Sequence, residues 1–466
     1  MKGNNLTRRE FVKASGMAMI GTSLMLAGCK SDSSNKQTPK NSDPDGAGSK
    51  AMVFIMLDGG NDAYNTLVPT STAGHQIYSN SRNNLALAKD SLLQLNSTAH
   101  GLHPSLTNMQ RLFNEKSLSF VANVGPMVTP ITRDEFKAGS KPVPLGLMSH
   151  SDQFKHWQTA NPGVRTNTGL FGKVADKMQP NQLPQDIPMN ISLAGSNILQ
   201  SGVSSREYVV TEKGSVGLKA KDSTNPTTRA LNEQLLDGFD SLLAKVHNDA
   251  FLDTYTNSVK YAQQQHEKFS SALSGVHINT SFENTPLSKQ LEMVAKSIAA
   301  KSRLGSEKQT FFIRYIGWDH HSELLKTHAN MLKVLDNALG SFQSALDELG
   351  IADDVVTVVG SDFGRTLTSN GNGSDHGWGG NAIVMGKDIN GGQIFGKYPS
   401  LELGNANPLD IGNGVLIPTT STDEMYAELL MWFGIKRSDL GSMLPNLTNF
   451  YDYQNRTDLP LGFIRT

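Results

Sequence analysis

Cysteine is almost absent from this chain of 466 residues, because Cys29 is the only one. An internal disulfide is therefore excluded, so no covalent cross-link holds the fold together. Net charge is almost absent too, at −1, and so the chain lacks the basic field that nucleic-acid binding needs. After the N-terminus, no apolar run approaches the roughly 20 residues of a membrane-spanning helix, and no internal repeat is visible.

The first 29 residues predict export. Residues 7–13 carry a twin-arginine pattern, and residues 14–28 form an apolar stretch that is shorter than a membrane helix, as in a signal peptide. The stretch ends in Leu26-Ala27-Gly28-Cys29, which resembles a bacterial lipobox. We therefore expect Cys29 to be lipidated and to anchor the protein to a membrane, with Lys30 favouring the outer membrane. The alternative is a plain signal peptide with an incidental cysteine.

The next segment, residues 30–50, contains no large apolar side chain and so cannot pack against a core. It is predicted to be a disordered tether with a reach of roughly 25 Å. Residues 51–466 remain, which is long for one domain but within the range of large α/β enzymes. We thus predict three parts: a signal peptide over 1–29, a tether over 30–50 and a folded domain over 51–466.

Apolar runs of two different periods alternate along the folded domain. Runs at 51–57, 118–124, 310–316 and 355–359 predict buried strands, and a stripe of leucines at helical spacing over 322–349 predicts a long helix. Strands that alternate with helices favour an α/β fold. We expect a mostly parallel central sheet with helices on both faces.

Short acidic and histidine-bearing motifs follow three of these strands. They are Leu57-Asp58-Gly59-Gly60-Asn61-Asp62, Gly317-Trp318-Asp319-His320-His321 and Ser361-Asp362-Phe363-Gly364-Arg365, and a fourth motif is Ser374-Asp375-His376-Gly377. In open α/β sheets, ligands bind outside the carboxyl ends of the strands. Oxygen and imidazole ligands that converge there suit a hard or borderline metal ion. The motifs therefore favour a metal-dependent hydrolase.

Five stretches together resemble the bacterial family called domain of unknown function 1501. They are Gly59-Gly60-Asn61-Asp62-Ala63-Tyr64-Asn65-Thr66-Leu67-Val68-Pro69, Ser149-His150, Trp318-Asp319-His320-His321, Ser361-Asp362-Phe363-Gly364-Arg365 and Asp375-His376-Gly377-Trp378-Gly379. The resemblance runs from about residue 54 to residue 450. This family is similar in turn to the alkaline phosphatase and sulfatase superfamily, which implies an alkaline phosphatase-like fold.

The resemblance to that superfamily implies roles for particular residues. It implies a divalent metal, either zinc, manganese or calcium, and the metal ligands it implies are Asp58, Asp319, His321, Asp362 and His376. Adjacent side chains in an extended segment point to opposite sides, so only one of His320 and His321 should face the site, and the family pattern favours His321. The catalytic roles implied are those of Ser149, as a nucleophile at a helix N-terminus, and of Arg365, as a clamp on an anionic substrate oxygen.

Each implied role has an alternative. Ser149 could simply cap a helix, with Ser151 close by, and Arg365 could pair with a local carboxylate. His376 could face solvent, and the acidic and histidine residues after the strand at 310–316 could cap the long helix. Phe363 stands where the superfamily has a histidine, which removes one ligand of a two-zinc site. A lipidated Cys29 would also exclude a modified-cysteine nucleophile.

The sequence therefore predicts an exported, lipid-anchored, metal-dependent hydrolase of phosphate or sulfate esters, located in the periplasm or cell envelope. Its expected substrate is a small-molecule or glycan ester, and no nucleic-acid partner is expected. The alternative is a non-catalytic envelope protein that keeps the fold and binds a glycan, a metal or a protein partner.

Overall fold

The computed structural model describes residues 48–217, 225–245 and 248–465. The predicted signal peptide, with Cys29, and all but the last three residues of the predicted tether lie outside the described residues. From Gly48 onward the chain forms one unit. Among the described residues, no helix is both long enough and apolar enough to cross a membrane.

The described strands are short except for the five that build the centre of the main sheet. They are β1 (Lys50–Asp58), β2 (Leu67–Pro69), β3 (Leu93–Gln94), β4 (His100–Leu102), β5 (Leu118–Gly125), β6 (Asn190–Ser192), β7 (Tyr208–Val209), β8 (Lys308–Ile316), β9 (Val355–Ser361), β10 (Arg365–Ser369), β11 (Ser374–His376), β12 (Gly380–Met385), β13 (Ile394–Gly396) and β14 (Thr420–Ser421).

The described α-helices alternate with these strands. They are α1 (Ala63–Thr66), α2 (Thr72–Arg82), α3 (Thr107–Asn114), α4 (Arg133–Ala138), α5 (His150–Thr159), α6 (Leu170–Met178), α7 (Pro226–Leu243), α8 (Ala250–Leu273), α9 (Pro286–Ala299), α10 (Lys301–Leu304), α11 (Leu324–Glu348), α12 (Thr422–Phe433) and α13 (Leu440–Met443).

The main sheet has nine strands within the described residues, in the order β13-β5-β12-β9-β1-β8-β6-β7, with β14 also paired to β5. β1 pairs in parallel with both β8 and β9, whereas β12 runs antiparallel between β9 and β5. The remaining pairs of this sheet are parallel. The predicted mostly parallel sheet is confirmed, with β12 as its antiparallel member.

Helices cover both faces of the sheet, and the side chains of β1 are therefore divided between two hydrophobic cores. The odd-numbered side chains from Ala51 to Leu57 pack with α3, α9 and α11. The even-numbered ones from Met52 to Met56 pack with α5, α6 and α12. Burial on both faces explains why the strand reads as a continuous apolar run and not as an alternating one.

The long helix α11 fixes its neighbour α3 through a buried carboxylate. The N-cap residue of α3 is Leu106, whose apolar side chain cannot accept a hydrogen bond from the first turn. Asp336 of α11 supplies the cap instead, because its carboxylate accepts from the backbone N–H groups of Asn108 (2.9 Å) and Met109 (2.7 Å). The first-turn amides of α3 thereby gain the partners that a helix end requires.

Parallel register brings three motif-bearing strand ends to one edge of the sheet. Asp58 at the end of β1 lies opposite Ile316 of β8, and Leu57 lies opposite Ser361 of β9. β12 begins at the same edge, since it runs the other way. A two-stranded ribbon of β10 and β11 pairs Arg365 with His376.

Asp423, in the first turn of α12, is a buried acid without a partner. Its exposed fraction is 0%, and neither of its carboxyl oxygens makes a hydrogen bond to the described residues. The backbone N–H of Asn446 approaches it without reaching hydrogen-bond geometry. Burial raises the pKa of Asp423 to about 8, against the opposing attraction of Lys173, so this carboxyl is mostly protonated in the folded protein at neutral pH.

Asp423→Asn is predicted to stabilise the protein at pH 8 and to change its stability little at pH 4. An unfolded aspartate loses its proton near pH 4, whereas Asp423 in the fold keeps its proton up to about pH 8. The wild-type protein therefore loses stability as pH rises between these values, and asparagine does not titrate. The expected gain at pH 8 is about 1–3 kcal/mol in the free energy of unfolding, measured by urea denaturation.

The control for this experiment is Asp353→Asn, at an exposed acid, which should change the free energy of unfolding by less than about 0.5 kcal/mol at either pH. An Asp423→Asn variant that is less stable than wild type at pH 8 would contradict the prediction, since it would mean that the ionised carboxylate is paired in the fold.

Candidate metal centre

Two glycines after β1 bring the strand-end motifs into contact. Gly59 and Gly60 have φ values of +127° and +87°, which glycine adopts at no steric cost. A Cβ atom on Gly59 would lie 2.4 Å from the backbone nitrogen of Asp319, and one on Gly60 would lie 2.6 Å from the ring of Phe363. The turn after β1 can therefore touch the loops after β8 and β9 only because it has no side chains at these positions.

Three imidazoles converge on the carboxylate of Asp319. His150 Nε2 lies 3.4 Å from its Oδ2, while His376 Nε2 and His321 Nε2 lie 3.4 Å and 3.0 Å from its Oδ1. The Nε2 atoms of His321 and His376 are 3.0 Å apart. His150, Asp319 and His376 each offer one ligand atom, and these three atoms lie within 4.8 Å of one another. That spacing is close enough to hold one metal ion.

The other ring nitrogen of each imidazole is held by an oxygen that can only accept. The three Nδ1–H groups donate as follows: His150 to Asp362 Oδ2 (2.6 Å), His321 to Asp375 Oδ1 (3.0 Å) and His376 to the carbonyl of Met148 (2.8 Å). A proton on Nδ1 leaves the Nε2 lone pair facing the centre in the neutral ring. Metal-ligating histidines are oriented in this way by carboxylates and backbone carbonyls.

The spacing and chemistry of these donors fit a single metal ion. Ligand atoms about 2.0–2.1 Å from a tetrahedral zinc lie about 3.3 Å from one another. The Asp319 carboxylate lies 3.0 to 3.4 Å from each imidazole, and the ligand atoms of His150, Asp319 and His376 all lie within 4.8 Å of one another. His150 Nε2 is also buried without a hydrogen-bond partner among the described residues, although Asp319 is near. A bound cation would satisfy that atom.

The protonation of the three donors is set by their surroundings. The hydrogen bond to Asp362 raises the pKa of His150, whereas burial lowers the pKa of His376. Burial alone would raise the pKa of Asp319, but the hydrogen bond and charge of Arg365 outweigh it and hold that pKa below its ordinary value. Asp319 is therefore ionised at neutral pH, as a metal ligand must be.

Arg365 is fully buried, and its guanidinium is used by the protein itself. It donates to Asp319 Oδ1 (2.6 Å), to the carbonyl of Gly59 (3.2 Å) and to both the hydroxyl (3.4 Å) and the carbonyl of Ser374. The structure thus shows the alternative foreseen for this residue, which is pairing with a local carboxylate. Its contact with a substrate oxygen stays a prediction.

The two other acidic residues of the strand-end motifs, Asp362 and Asp58, have different partners in the structure. Asp362 is buried and reaches the centre through His150, and it also accepts from the backbone N–H of Gly59 at 3.3 Å. Asp58 pairs instead with Arg314 of β8, whose guanidinium lies 4.8 Å from the ring centroid of Phe154. Asp58, Asp362 and His321 are not among the three residues whose ligand atoms converge, so their roles as ligands stay predictions.

Ser149 precedes α5 at the N-cap position but makes no capping hydrogen bond. Its hydroxyl lies 3.2 Å from the hydroxyl of Ser151, and within the described part of the chain it makes no hydrogen bond to the three imidazoles. The residue before it, Met148, has a φ of +68°, a strained value for a side chain of this size, and its carbonyl holds His376. One strained backbone position thus lies directly beside the candidate nucleophile.

His320 and His321 point to opposite sides, as their adjacency predicts. His321 faces the centre, whereas His320 is buried beneath it, with its ring centroid 6.2 Å from that of Trp318 and 5.9 Å from that of His328. Phe363 packs against the centre from the side, because its ring lies 4.6 Å from His150 and 4.7 Å from His376. It is therefore part of the apolar wall around the donors.

Sequence reasoning missed His150 and Asp375. The signal for His150 was present, because it lies in the Ser149-His150 pair, but the family resemblance implies a role only for the serine. Asp375 lies beside His376 in the fourth motif, yet its contact is with His321. Neither contact follows from spacing along the chain, since His150 and Asp362 are 212 residues apart.

Comparison with known proteins gives one family and several structures. A comparison with curated proteins finds no match. Similar solved structures include Ps i-CgsB in complex with k-i-k-neocarrahexaose, with 13% identity and a TM-score of 0.34 over 86% of this chain and 77% of that one. They also include the PsFucS1 sulfatase from Pseudoalteromonas sp., with 10% identity and a TM-score of 0.35 over 84% of this chain and 69% of that one.

A third similar structure is the phosphonate monoester hydrolase SpPMH from Silicibacter pomeroyi, with 10% identity and a TM-score of 0.33 over 83% of this chain and 73% of that one. The description of the fold rests on the strand order and register above and not on these similarities. The family model described as "Protein of unknown function (DUF1501)" matches residues 49–435, as the motifs predicted. Because this match spans most of the chain, the protein belongs to the DUF1501 family.

Proposed function

We propose that this protein is a metal-dependent hydrolase of phosphate or sulfate esters. The observation that carries the proposal is the convergence of His150, Asp319 and His376, whose ligand atoms lie within 4.8 Å of one another at the carboxyl edge of the sheet. His321 is a candidate fourth ligand, since its Nε2 lies 3.0 Å from both Asp319 Oδ1 and His376 Nε2, although it is outside the group of three whose ligand atoms all converge. Imidazole nitrogens with one carboxylate favour zinc or manganese over calcium, which prefers oxygen ligands throughout.

Each residue around the donors has a definable part in this proposal. A divalent metal, when bound, would polarise the ester oxygen and lower the pKa of an attacking hydroxyl or water. Asp362 and the carbonyl of Met148 hold two imidazoles in place, and Arg365 holds Asp319 ionised. Ser149, directly before His150, is the proposed nucleophile.

A specific observation also favours the alternative function, that of a binding protein without catalysis. Three carboxylates at this edge already have cationic or protonatable partners: Asp58 has Arg314, Asp319 has Arg365 and Asp362 has His150. A cluster compensated in this way is stable without a metal ion. Metal binding together with ester turnover therefore decides between the two functions.

We predict that the purified protein binds one zinc ion per chain. His150→Ala, Asp319→Asn and His376→Ala should each weaken zinc binding by more than about 100-fold, because each removes a ligand, and Asp362→Asn should weaken it by about 10–100-fold, because it only orients His150. Competition with a chelator measures the affinity, and elemental analysis measures the stoichiometry. The control is His277→Ala, at an exposed histidine outside the centre.

The same preparations test catalysis with p-nitrophenyl phosphate and p-nitrophenyl sulfate. Turnover should require zinc and should be lost in Ser149→Ala but kept in Ser151→Ala. A stably folded wild-type protein that takes up no zinc, manganese or calcium and turns over neither ester would contradict the hydrolase and favour the binding protein.

Asp58 and Arg314 form a matched pair for testing the remaining predicted ligand. If Asp58 binds the metal, it must leave Arg314, so Asp58→Asn should weaken zinc binding by about 10-fold or more, whereas Arg314→Gln should leave it unchanged or strengthen it. Both variants remove the same ion pair, so a purely structural effect would appear equally in the two. Equal zinc affinity in Asp58→Asn and wild type would exclude Asp58 as a ligand.

We also propose export by the twin-arginine route and lipid anchoring through Cys29, supported by the motifs at residues 7–13 and 26–29. Cys29→Ser should move the protein from the membrane fraction to the soluble envelope fraction, and replacing Arg8 and Arg9 by lysine should keep it in the cytoplasm. Fractionation followed by immunoblotting measures both outcomes. A Cys29→Ser protein that stays with the membranes would show that the anchor is elsewhere.

A further inference from the structure

A cavity of about 290 Å³ lies between α4 and the loop of residues 403–414. Its wall contains none of the residues of the metal centre. Two cationic side chains of α4, Arg133 and Lys137, line the wall. Thr368 of β10 lines it too, and the loop contributes Leu403, Asn405, Asp410 and Asn413. The cavity is slightly smaller than the pockets of roughly 300–1,000 Å³ that hold drug-sized ligands, so it suits one small ring or group.

The two cations lie on the same face of α4, since they are four residues apart. The guanidinium of Arg133 is fixed in the wall, because its Nη1 donates to the carbonyls of Gly404 and Asn407, both at 3.2 Å. Lys137 is exposed and makes no hydrogen bond or ion pair within the part of the chain that the structure describes. Two like charges at this spacing repel each other, and an anion between them would remove that cost.

The acidic groups near the cavity form no close ion pair with these cations among the described residues. Asp410 lies in the wall, but its carboxylate accepts from the backbone N–H groups of Gly404 (2.6 Å), Gly412 (2.8 Å) and Gly414 (3.0 Å). These three hydrogen bonds use the Asp410 carboxylate to hold the backbone of the loop. Asp134 lies 3.9 Å from Arg133 Nε, but its side chain is 93% exposed, so solvent screens this pair.

The rest of the wall suits a sugar more than a bare anion. Asn405 and Asn413 are exposed, and their carboxamides can donate to and accept from hydroxyl groups. Leu403 is 37% exposed and offers an apolar surface for the C–H face of a ring. Neutral polar groups beside two cations are what an anionic sugar requires.

A short ribbon connects this cavity to the metal centre. Arg365 and His376 are paired at one end of β10 and β11, and Thr368 lies three residues further along β10. At about 3.3 Å per residue, the cavity wall begins about 10 Å along the strand from Arg365. Met148, whose carbonyl holds His376, packs in one apolar cluster with Leu409 and Ile411 of the loop.

We propose that this cavity is a subsite for a sulfated or phosphorylated sugar unit of an extended glycan, whose ester at another unit is hydrolysed at the metal centre. This inference rests on the proposed function and adds a substrate class to it. Arg133 and Lys137 bind the anionic group, and the two asparagines bind hydroxyl groups of the ring.

The test measures binding of four probes by calorimetry: glucose 6-sulfate, glucose 6-phosphate, glucose and inorganic sulfate. The full chain is used in an Asp319→Asn background, so that ester turnover and metal binding do not interfere. At least one of the two anionic sugars should bind, and glucose should bind at least about 10-fold more weakly, because it lacks the charge. Lys137→Glu should weaken the anionic sugar by at least about 10-fold, since it reverses a charge in the wall.

The matched control is Lys333→Glu, which makes the same charge change at an exposed lysine of α11 outside the cavity and should leave binding unchanged. Lys137→Ala serves as a second variant if the glutamate disturbs folding. Absence of anionic-sugar binding, or binding that neither Lys137 variant weakens, would overturn the proposal. Inorganic sulfate that binds as tightly as glucose 6-sulfate would overturn the assignment to a sugar.

Failure here is distinguishable from failure of the hydrolase proposal. Zinc binding and ester turnover without anionic-sugar binding would count against the cavity alone. Sugar binding that depends on Lys137, in a protein that takes up no metal, would count against the hydrolase and leave the cavity as a glycan-binding site.

Discussion

The candidate site depends on one buried guanidinium. Arg365 is fully buried and joins three segments, because it donates to the carbonyl of Gly59 after β1, to Asp319 after β8 and to Ser374 on β11. Each of these segments reaches the sheet edge from a different part of the chain, and backbone pairing alone does not fix the distances between their side chains. A planar guanidinium with several donors can fix those distances, which a point charge such as lysine cannot do.

A buried ion pair between Asp62 and Arg82 supports this arrangement. Asp62 and Arg82 are paired with both side chains fully buried, and Arg82 also donates to the carbonyls of Thr366 and Leu367 on β10. The ribbon that carries Arg365 is thus tied to the glycine turn after β1. Buried charges are costly unless they are paired and hydrogen-bonded, so the chain commits this buried pair, and the buried guanidinium of Arg365, to holding the loops and not to stability in general.

The consequence for chemistry is a site that is organised before any ligand arrives. The three imidazoles are oriented by oxygens that only accept, and the carboxylate between them is kept ionised by Arg365. Pre-organised donors need little rearrangement on binding, which is what both a metal and a developing negative charge require. The hydrogen bond to Asp362 raises the pKa of His150, and a metal ion needs the Nε2 lone pair of that ring, so protons and a metal ion compete for it.

Local pattern in the sequence determined the strands, the long helix and the edge of the sheet at which the motifs meet, because apolar periodicity and strand direction are properties of short segments. It also determined the family and the side to which His321 points. Only the tertiary structure decided that His150 faces the donors while Ser149 pairs with Ser151, and that Asp58 turns to Arg314. The physical reason is that the partner of a charged side chain depends on which distant segment lies beside it in the fold. Asp58 and Arg314 are 256 residues apart, and they can pair only because β1 and β8 lie side by side.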